Sequence, residues 1–329
     1  MGEYVIGMDI GGTNSRLAIF DTDANFIDLG YWSGLNHEGM KGSYTQLEDE
    51  LEQFVSQVIS KNGITMKQVA YSALGVAGVD RKEQHRIVGE ILKRLGFEKF
   101  TLTNDAYLGI PAGSRTGTGI CAINGTGCTL AGLNKKGEML QIGGLGTLTS
   151  DKGGGRYLGE RMAIAVHNEL FRRGEPTIMT KLLFEKLGIT SKYEYVEKLC
   201  EKIYEGSFSI YTSGPMLFNA AKQKDNVACN ILREIAASYA DGISCMIEEL
   251  KFPKDEELYI VLAGSVFVKG EDPILVDSLK EKLSGDNPGY NLKFNLLNVP
   301  NVAGAVIWAL NSLKGNNGYY DKVCGQLKK

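Results

Sequence analysis

The chain has 329 residues, 43% of them hydrophobic and 23% charged; this is globular composition, and the length exceeds what one compact core usually serves, so two domains are expected. With 36 basic and 39 acidic side chains the formal net charge is −3, which leaves no global field to attract nucleic acid or an anionic membrane. Forty-one glycines against seven prolines indicate close backbone approaches and tight turns rather than disorder.

Tyr4–Met8 is a short apolar run, followed by Asp9-Ile10-Gly11-Gly12-Thr13-Asn14 and a second run, Leu17–Phe20. That order of strand, glycine turn and strand predicts a β-hairpin. From Tyr44 to Asn62, apolar residues at Leu47, Leu51, Phe54, Val55, Val58 and Ile59 recur every three or four positions, the period of an amphipathic helix. Val69–Val76 reads as a buried strand, 77–80 as a loop, and Arg86–Leu95 as a helix stopped by Gly96. Phe100–Leu102 is a strand running into Thr103-Asn104-Asp105, and a linker is expected across Pro111–Thr118.

The opening pattern then returns. Ile120–Ile123 is a strand, Asn124-Gly125-Thr126-Gly127 a glycine turn, and Cys128–Leu133 a second strand, so the chain carries a structural repeat of two related domains. Helices are expected over 162–173, 192–204, 215–222 and 228–250, the last with Ile231, Ile235, Ala236, Tyr239, Ile243 and Ile247 along one stripe. Leu258–Leu262 is a strand followed by Ala263-Gly264-Ser265, and Val302–Leu313 is a closing helix.

Four segments carry chemistry. Glycines at 11 and 12 free backbone amides to approach phosphate oxygens, and Thr13 adds a hydroxyl donor. Asp9, two residues earlier, suits a Mg²⁺ ion bound through water, because Mg²⁺ dehydrates reluctantly. Gly125-Thr126-Gly127 repeats the arrangement, and two such loops facing each other would clamp one triphosphate. Gly264-Ser265 lets a flat base lie against backbone. Each loop alone also reads as an ordinary turn. Asp105 ends a strand, where α/β folds place ligand-facing groups. It reads as the base for a hydroxyl attacking a phosphoryl group or as a helix N-cap. Neither G-x-x-x-x-G-K-[ST] nor a helix-opening G-x-G-x-x-G is present.

The six cysteines form no C-x-x-C pair, and there are three histidines, so a zinc site is not expected and reduced thiols are. The start, Met1-Gly2-Glu3-Tyr4, has no basic region before its first strand, and the longest apolar stretch, 259–268, is too short to span a bilayer. A cytoplasmic protein that binds neither membrane nor nucleic acid is expected.

Asp9-Ile10-Gly11-Gly12-Thr13, Thr103-Asn104-Asp105, Asn124-Gly125-Thr126-Gly127, Gly143-Gly144-Leu145-Gly146 with Asp151, and Ala263-Gly264-Ser265 stand in this order. The set resembles the sugar kinase, Hsp70 and actin superfamily, and within it the N-acetylglucosamine kinase branch grouped with the BadF/BadG/BcrA/BcrD ATPases. The resemblance covers nearly the whole chain. It implies an α/β fold of two actin-like ATPase (ribonuclease H-like) domains with a nucleotide and sugar cleft between them. Residues 1–113 would form the first, joined by a returning helix at about 301–329, and 114–300 the second. It implies ATP and Mg²⁺ as cofactors and an amino sugar as substrate, most naturally N-acetylglucosamine or N-acetylmuramate in cell-wall or amino-sugar salvage; a homodimer is expected. Position by position, Thr13 and Thr126 resemble the phosphate-loop threonines, flanked by Gly11, Gly12, Asn14, Gly125 and Gly127. Asp105 resembles the catalytic base, which also contacts sugar. Gly264, Ser265 and Lys269 resemble the adenosine side. Asn36, Cys128, Thr129, Gly144, Leu145, Gly146 and Asp151 resemble sugar contacts. Three sites depart from the family pattern: the pair Cys128-Thr129 stands for Ser-Asn, Leu145 for an aromatic, and Lys152 for a glutamate. A lysine there would attract, and a smaller residue at 145 would admit, the lactyl group of N-acetylmuramate.

Two other classes fit parts of the sequence. One is an ATPase activator of a CoA-ester dehydratase, which would need an iron–sulfur cluster held by cysteines; Cys121 and Cys128 do not have that spacing. The other is a sugar-sensing module, which would need a DNA-reading helix pair that is not found before Asp9. Kinases of other hexoses, such as glucosamine, share the phosphate loops.

Overall fold

Each of the two glycine hairpins grows into a sheet of the same design. The computed structural model describes residues 3–315 and 318–328; Met1-Gly2 of the opening segment and 316, 317 and 329 of the returning one lie outside them. In the first half the elements are β1 (Tyr4–Ile10), β2 (Asn14–Asp21), β3 (Phe26–Ser33), α1 (Ser43–Lys61), β4 (Val69–Val76), α2 (Lys82–Arg94), β5 (Phe100–Thr103) and the short α3 (Gly109–Gly113). The second half contains β6 (Gly119–Asn124), β7 (Cys128–Leu133), β8 (Met139–Gly143), α4 (Gly154–Phe171), α5 (Ile178–Leu187), α6 (Tyr195–Tyr204), α7 (Gly214–Lys222), α8 (Asn226–Glu249), β9 (Glu257–Ala263), α9 (Ser265–Lys269), α10 (Ile274–Asp286) and β10 (Asn291–Leu296). The helices α11 (Asn301–Lys314) and α12 (Tyr320–Leu327) close the chain.

The first sheet has the order β3-β2-β1-β4-β5 and the second β10-β9-β6-β7-β8. In each, the hairpin and its third strand pair antiparallel, while the strands on the other side run parallel to the first. The repeat is therefore one of topology, β1-β2-β3-β4-β5 matching β6-β7-β8-β9-β10. Parallel strands need crossover helices, and these supply the layers: α1 and α2 pack on the first sheet, and α8 and α10 lie beside the second.

The six expected apolar residues of α1 are all buried, and so are the six of α8. A third cluster joins the sheets: Val5, Ala18 and Ala73 share a core with Ala131 and Val261, with α3 and α11 between them. Close backbone approach makes this possible. A Cβ on Gly7 would stand 2.6 Å from Val306 N, and one on Gly113 2.7 Å from Val261 Cγ2.

Several expectations change. Pro111–Gly113 is buried helix rather than linker, and the exposed part of that segment begins at Arg115. Helix α4 starts at Gly154, eight residues before the expected Met162, because its opening glycines read as a turn. Strands β3, β8 and β10 escaped the sequence reading: all three are sheet edges, and their burial does not alternate cleanly. Of the cysteines, Cys121, Cys229 and Cys324 are buried, Cys128 is half-buried, and Cys200 and Cys245 are exposed.

Candidate active site

Two carboxylates stand deep between the sheets. Asp9 sits on β1 opposite Arg16 of β2, with Arg16 Nη1 3.8 Å from its Oδ2 and 13% of its side chain open. Burial pushes Asp9 up to about 6, against the pull of Arg16. Asp105 follows β5, and burial first, then the like charges of Asp9 and Asp80, push it up to about 7. The N-cap of the turn over Asp105–Leu108 is Asn104, whose side chain accepts from Ala106 N at 2.9 Å. The capping job that could have explained Asp105 thus belongs to its neighbour.

Asp9 and Asp105 leave uncompensated negative charge beside a single arginine, a hard-oxygen environment suited to Mg²⁺. Among the described residues no three His, Cys, Asp or Glu side chains gather as a ligand set. Such an ion would therefore complete its shell with phosphate oxygens and water, as Mg²⁺ commonly does.

The first glycine loop is a tight turn in which Gly11 N donates to Asn14 O at 3.1 Å. Gly12, Thr13 and Asn14 are exposed. A Cβ on Gly12 would meet only Asn36 Cβ, at 4.0 Å, so the space above that glycine is open.

The second loop is fixed from beneath. Gly155 N donates to Gly125 O at 2.8 Å, Gly154 N to Asn124 Oδ1 at 2.7 Å, and Tyr239 Oη to Ile123 O at 2.7 Å. The N-terminus of α4 therefore stands against the loop and adds the positive end of an 18-residue helix. A cavity of about 600 Å³ opens here, lined by Gly125, Thr126, Ser265 and Lys269 and walled by Leu158, Pro215, Phe218 and Val266. Its size suits a nucleotide-sized ligand. The tie between the two loops is direct: a Cβ on Gly125 would lie 3.8 Å from Gly264 Cα. The first loop is not part of this lining. Three buried polar atoms at the strand ends, Ser15 Oγ, Thr103 Oγ1 and Asn124 Nδ2, have no partner among the described residues; unpaired polar atoms of this kind normally mark water or ligand contacts.

The expected sugar contacts fall into two groups. Asn36 lies in the first half, its Oδ1 accepting from Glu38 N at 3.0 Å, beside Gly78. In the second half, Asp151 Oδ2 accepts from Gly144 N at 2.9 Å and Gly146 N at 2.7 Å. It therefore organises the 144–146 loop by its own contacts. Thr129 Oγ1 donates to Ile142 O at 3.3 Å. Cys128 lies near Tyr239, and burial pushes its thiol up to about 11, which keeps it neutral. Leu145 is 67% exposed. Lys152 forms an ion pair with Glu234 of α8 at 2.9 Å, and Arg161 joins the same carboxylate at 2.9 Å, so its charge is engaged elsewhere than expected.

The sequence reading missed Asn124 and Gly154-Gly155 as supports of the second loop, and Ser209, Tyr211, Thr212, Gly214, Pro215 and Gly270-Glu271 as cavity wall. The Gly153-Gly154-Gly155 run was the available signal. A Cβ on Gly153 would fall 2.8 Å from Tyr239 Oη.

The sequence model of the BadF/BadG/BcrA/BcrD ATPase family matches residues 6–309. The N-acetylmuramic acid/N-acetylglucosamine kinase of Clostridium acetobutylicum is 26% identical over 268 residues, 80% of this chain and 85% of the relative. The N-acetyl-D-glucosamine kinase of Dictyostelium discoideum is 27% identical over 328 residues, 95% of this chain and 99% of the relative. A crystal structure assigned as a candidate N-acetylglucosamine kinase from Chromobacterium violaceum superposes with a TM-score of 0.64 at 19% identity, over 93% of this chain and 98% of that one. That last likeness is one of fold.

Proposed function

Since the chain belongs to the BadF/BadG/BcrA/BcrD ATPase family, we propose that it is an ATP-dependent kinase of an amino-sugar hydroxyl, acting on N-acetylglucosamine and N-acetylmuramate. The observation that carries the reading is the cavity shared by Gly125 and Thr126 with Ser265 and Lys269, in a molecule whose first half buries two carboxylates, Asp9 and Asp105. On this reading residues 1–113, with the returning α11 and α12, form the first domain, and 114–300 the second.

The nucleotide base would rest against Gly264-Ser265 beside Lys269. Its phosphates would be held by the amides and hydroxyls of Gly125–Gly127 from one side and Gly11–Asn14 from the other. The sugar would lie between Asn36 and the loop that Asp151 organises, with Cys128 and Thr129 at its edge. Asp105 would accept the proton of the attacking hydroxyl as its oxygen bonds to the γ-phosphorus and the bond to ADP breaks. A carboxylate near neutrality in proton affinity is a better base than an ordinary aspartate. Asp9 would hold a Mg²⁺ ion through water, and that ion would neutralise phosphate charge.

The name of the Clostridium acetobutylicum relative and the exposure of Leu145 support N-acetylmuramate as a second substrate; the Dictyostelium discoideum relative is named for N-acetyl-D-glucosamine alone. The experiment is a coupled ADP-release assay across N-acetylglucosamine, N-acetylmuramate, glucosamine and plain hexoses. We expect turnover with the N-acetylated sugars well above the sugar-free rate. Equal ADP release with and without any sugar would overturn the kinase reading, and a clear preference for glucose would overturn the amino-sugar part.

A further inference from the structure

One carboxylate outside the set described above ties the two halves of the molecule together. Asp80 lies in the loop after β4, which turns at Gly78 with φ +79°. Its Oδ1 accepts from Asn104 Nδ2 at 2.9 Å and from Gln141 Nε2, also at 2.9 Å. Asn104 directly precedes Asp105 and belongs to the first half. Gln141 is on β8 of the second sheet. A single carboxylate oxygen is therefore shared by donors from both sides of the cleft.

Both donors have defined settings. Asn104 uses its amide at both ends, because its Oδ1 accepts from Ala106 N at 2.9 Å while its Nδ2 serves Asp80. Rotating that side chain would break the turn that carries Asp105 as well as the bond to Asp80. Gln141 borders the proposed sugar wall: a Cβ on Gly144 would lie 3.5 Å from Gln141 Nε2 and 3.5 Å from Thr129 Oγ1. Behind Asp80, its own N donates to Gln84 Oε1 at 3.1 Å, and Gln84 Nε2 donates to Glu38 Oε1 at 2.7 Å. That chain reaches the segment of Asn36. The network therefore touches the proposed base turn and the sugar wall of both halves. Hydrogen bonds to an ionised acceptor are roughly twice as strong as neutral ones, which gives such a node real holding power.

We propose that Asp80 is a positioning residue for Asp105, and that its bond to Gln141 makes the placement of the base depend on the second half being drawn across the cleft. This rests on the reading of Asp105 as the base. A loop that merely stabilised α2 would have no use for a donor from the opposite sheet. A positioning network would need one, because it must hold the base true only when the sugar wall is in place.

The test uses the full chain and five variants: Gln141→Leu, Asp80→Ala, Asp80→Asn, the Asp80→Ala/Gln141→Leu double and Asp105→Asn. The readouts are kcat, both KM values, sugar-independent ADP release and melting temperature. We expect Gln141→Leu to lower kcat about tenfold with the ATP KM within about twofold, and Asp80→Ala to lower it by about tenfold to a hundredfold. The double should be no worse than Asp80→Ala within about twofold, because both changes break one network. Asp80→Asn keeps an acceptor and should recover part of the loss. Sugar-independent ADP release should fall less than sugar phosphorylation in each.

Unchanged kcat in Gln141→Leu would overturn the proposal, as would losses that multiply in the double. Gln141 is only half-buried on an edge strand, so that arm remains informative even if Asp80→Ala does not fold. Asp105→Asn separates the two levels. If it stays active, the reading of the base fails. If it is inactive while Gln141→Leu behaves as the parent, the positioning role alone fails.

Discussion

The two sheets share a topology but not a chemistry. In the first half the hairpin strand carries Asp9, paired with Arg16, and the strand two places over ends at Thr103, two residues before Asp105. In the second half the strand before the glycine loop ends in Asn124, whose side chain accepts from Gly154 N, and β10 leads to no carboxylate at the equivalent place. The loop after β4 turns at Gly78, and the corresponding loop after β9 turns at Gly264, with φ values of +79° and +90°. One of these loops faces Asn36 and the other faces Gly125. A repeated scaffold thus offers the same three turns twice. On the proposed reading the first half places its buried carboxylates, Asp9 and Asp105, for metal and proton work, while the second supplies the cavity and the loop that Asp151 organises.

The sharpest way to break that division is to remove charge from the first half. Asp105→Asn should lower kcat by about a hundredfold or more with the ATP KM little changed, the usual scale for a general base. Steady-state kinetics checks this. Near-parental kcat would leave Asp105 without a chemical role and the contrast between the halves without content.

A smaller effect separates loop from loop. Neither Gly12 nor Gly125 has a positive φ, and a Cβ on either would meet nothing nearer than 3.8 Å. The fold itself therefore does not demand glycine there. Gly12→Val and Gly125→Val should each raise the ATP KM by about tenfold, with unfolding free energy changed by no more than about 1 kcal/mol. Gly264→Val is the contrast: with φ +90° and a Cβ 2.9 Å from Asn124 N, it should lose stability outright. Chemical denaturation alongside nucleotide titration distinguishes these outcomes. If Gly125→Val unfolds the chain while ATP binding per folded molecule is normal, the loop is only a turn.

How much of this was legible follows from the same contrast. Hairpins, central strands and the stripes of α1 and α8 were readable because burial imposes a period, and both helices follow it residue by residue. The edge strands β3, β8 and β10 have one flank unpaired and a weaker pattern. The glycine loops announced themselves by composition. The supports beneath them did not, because Asn124 and Gly154 act through long-range hydrogen bonds that no local spacing encodes. Gln141 and Asp80 are 61 positions apart, so their meeting could come only from the fold. Lys152 was visible as a charge, but its partner Glu234 was not.

The excess charge of the first half also has a thermodynamic signature. Asp9 is raised from 3.8 to about 6. A carboxyl raised in the folded state is stabilising while protonated; that contribution is full below its unfolded value and is lost as pH rises through about 6. In nucleotide-free, metal-free protein, Asp9→Asn should therefore gain about 1–2 kcal/mol at pH 8, and the gain should shrink as pH falls below 6. Arg16 loses its partner in that variant, which offsets part of the gain. Thermal melts at pH 8 and 5.5 in a chelator test the sign. A loss of stability at pH 8 would mean that the Arg16 pair outweighs the buried charge.

The smallest expected effect concerns the sugar rather than the scaffold. A lysine at 152 suggested an attraction for an acidic amino sugar. Its ammonium is instead paired with Glu234, which Arg161 also engages, and 41% of its side chain is exposed. A charge already neutralised and in contact with solvent contributes about 0–1 kcal/mol at most. Lys152→Glu should therefore lower kcat/KM for N-acetylmuramate by no more than about threefold relative to N-acetylglucosamine. Discrimination should depend more on space at Leu145: Leu145→Trp should penalise N-acetylmuramate more than Lys152→Glu does, because a large ring would occupy the room available to the lactyl group. Glu234→Gln gives the opposite arm, since it frees Lys152 from one charged partner. If that variant selectively raises the N-acetylmuramate value by tenfold or so, the lysine can reach the substrate and the ion pair restrains it. If it does not, specificity in the second half is a matter of shape, and the charge that matters stays in the first.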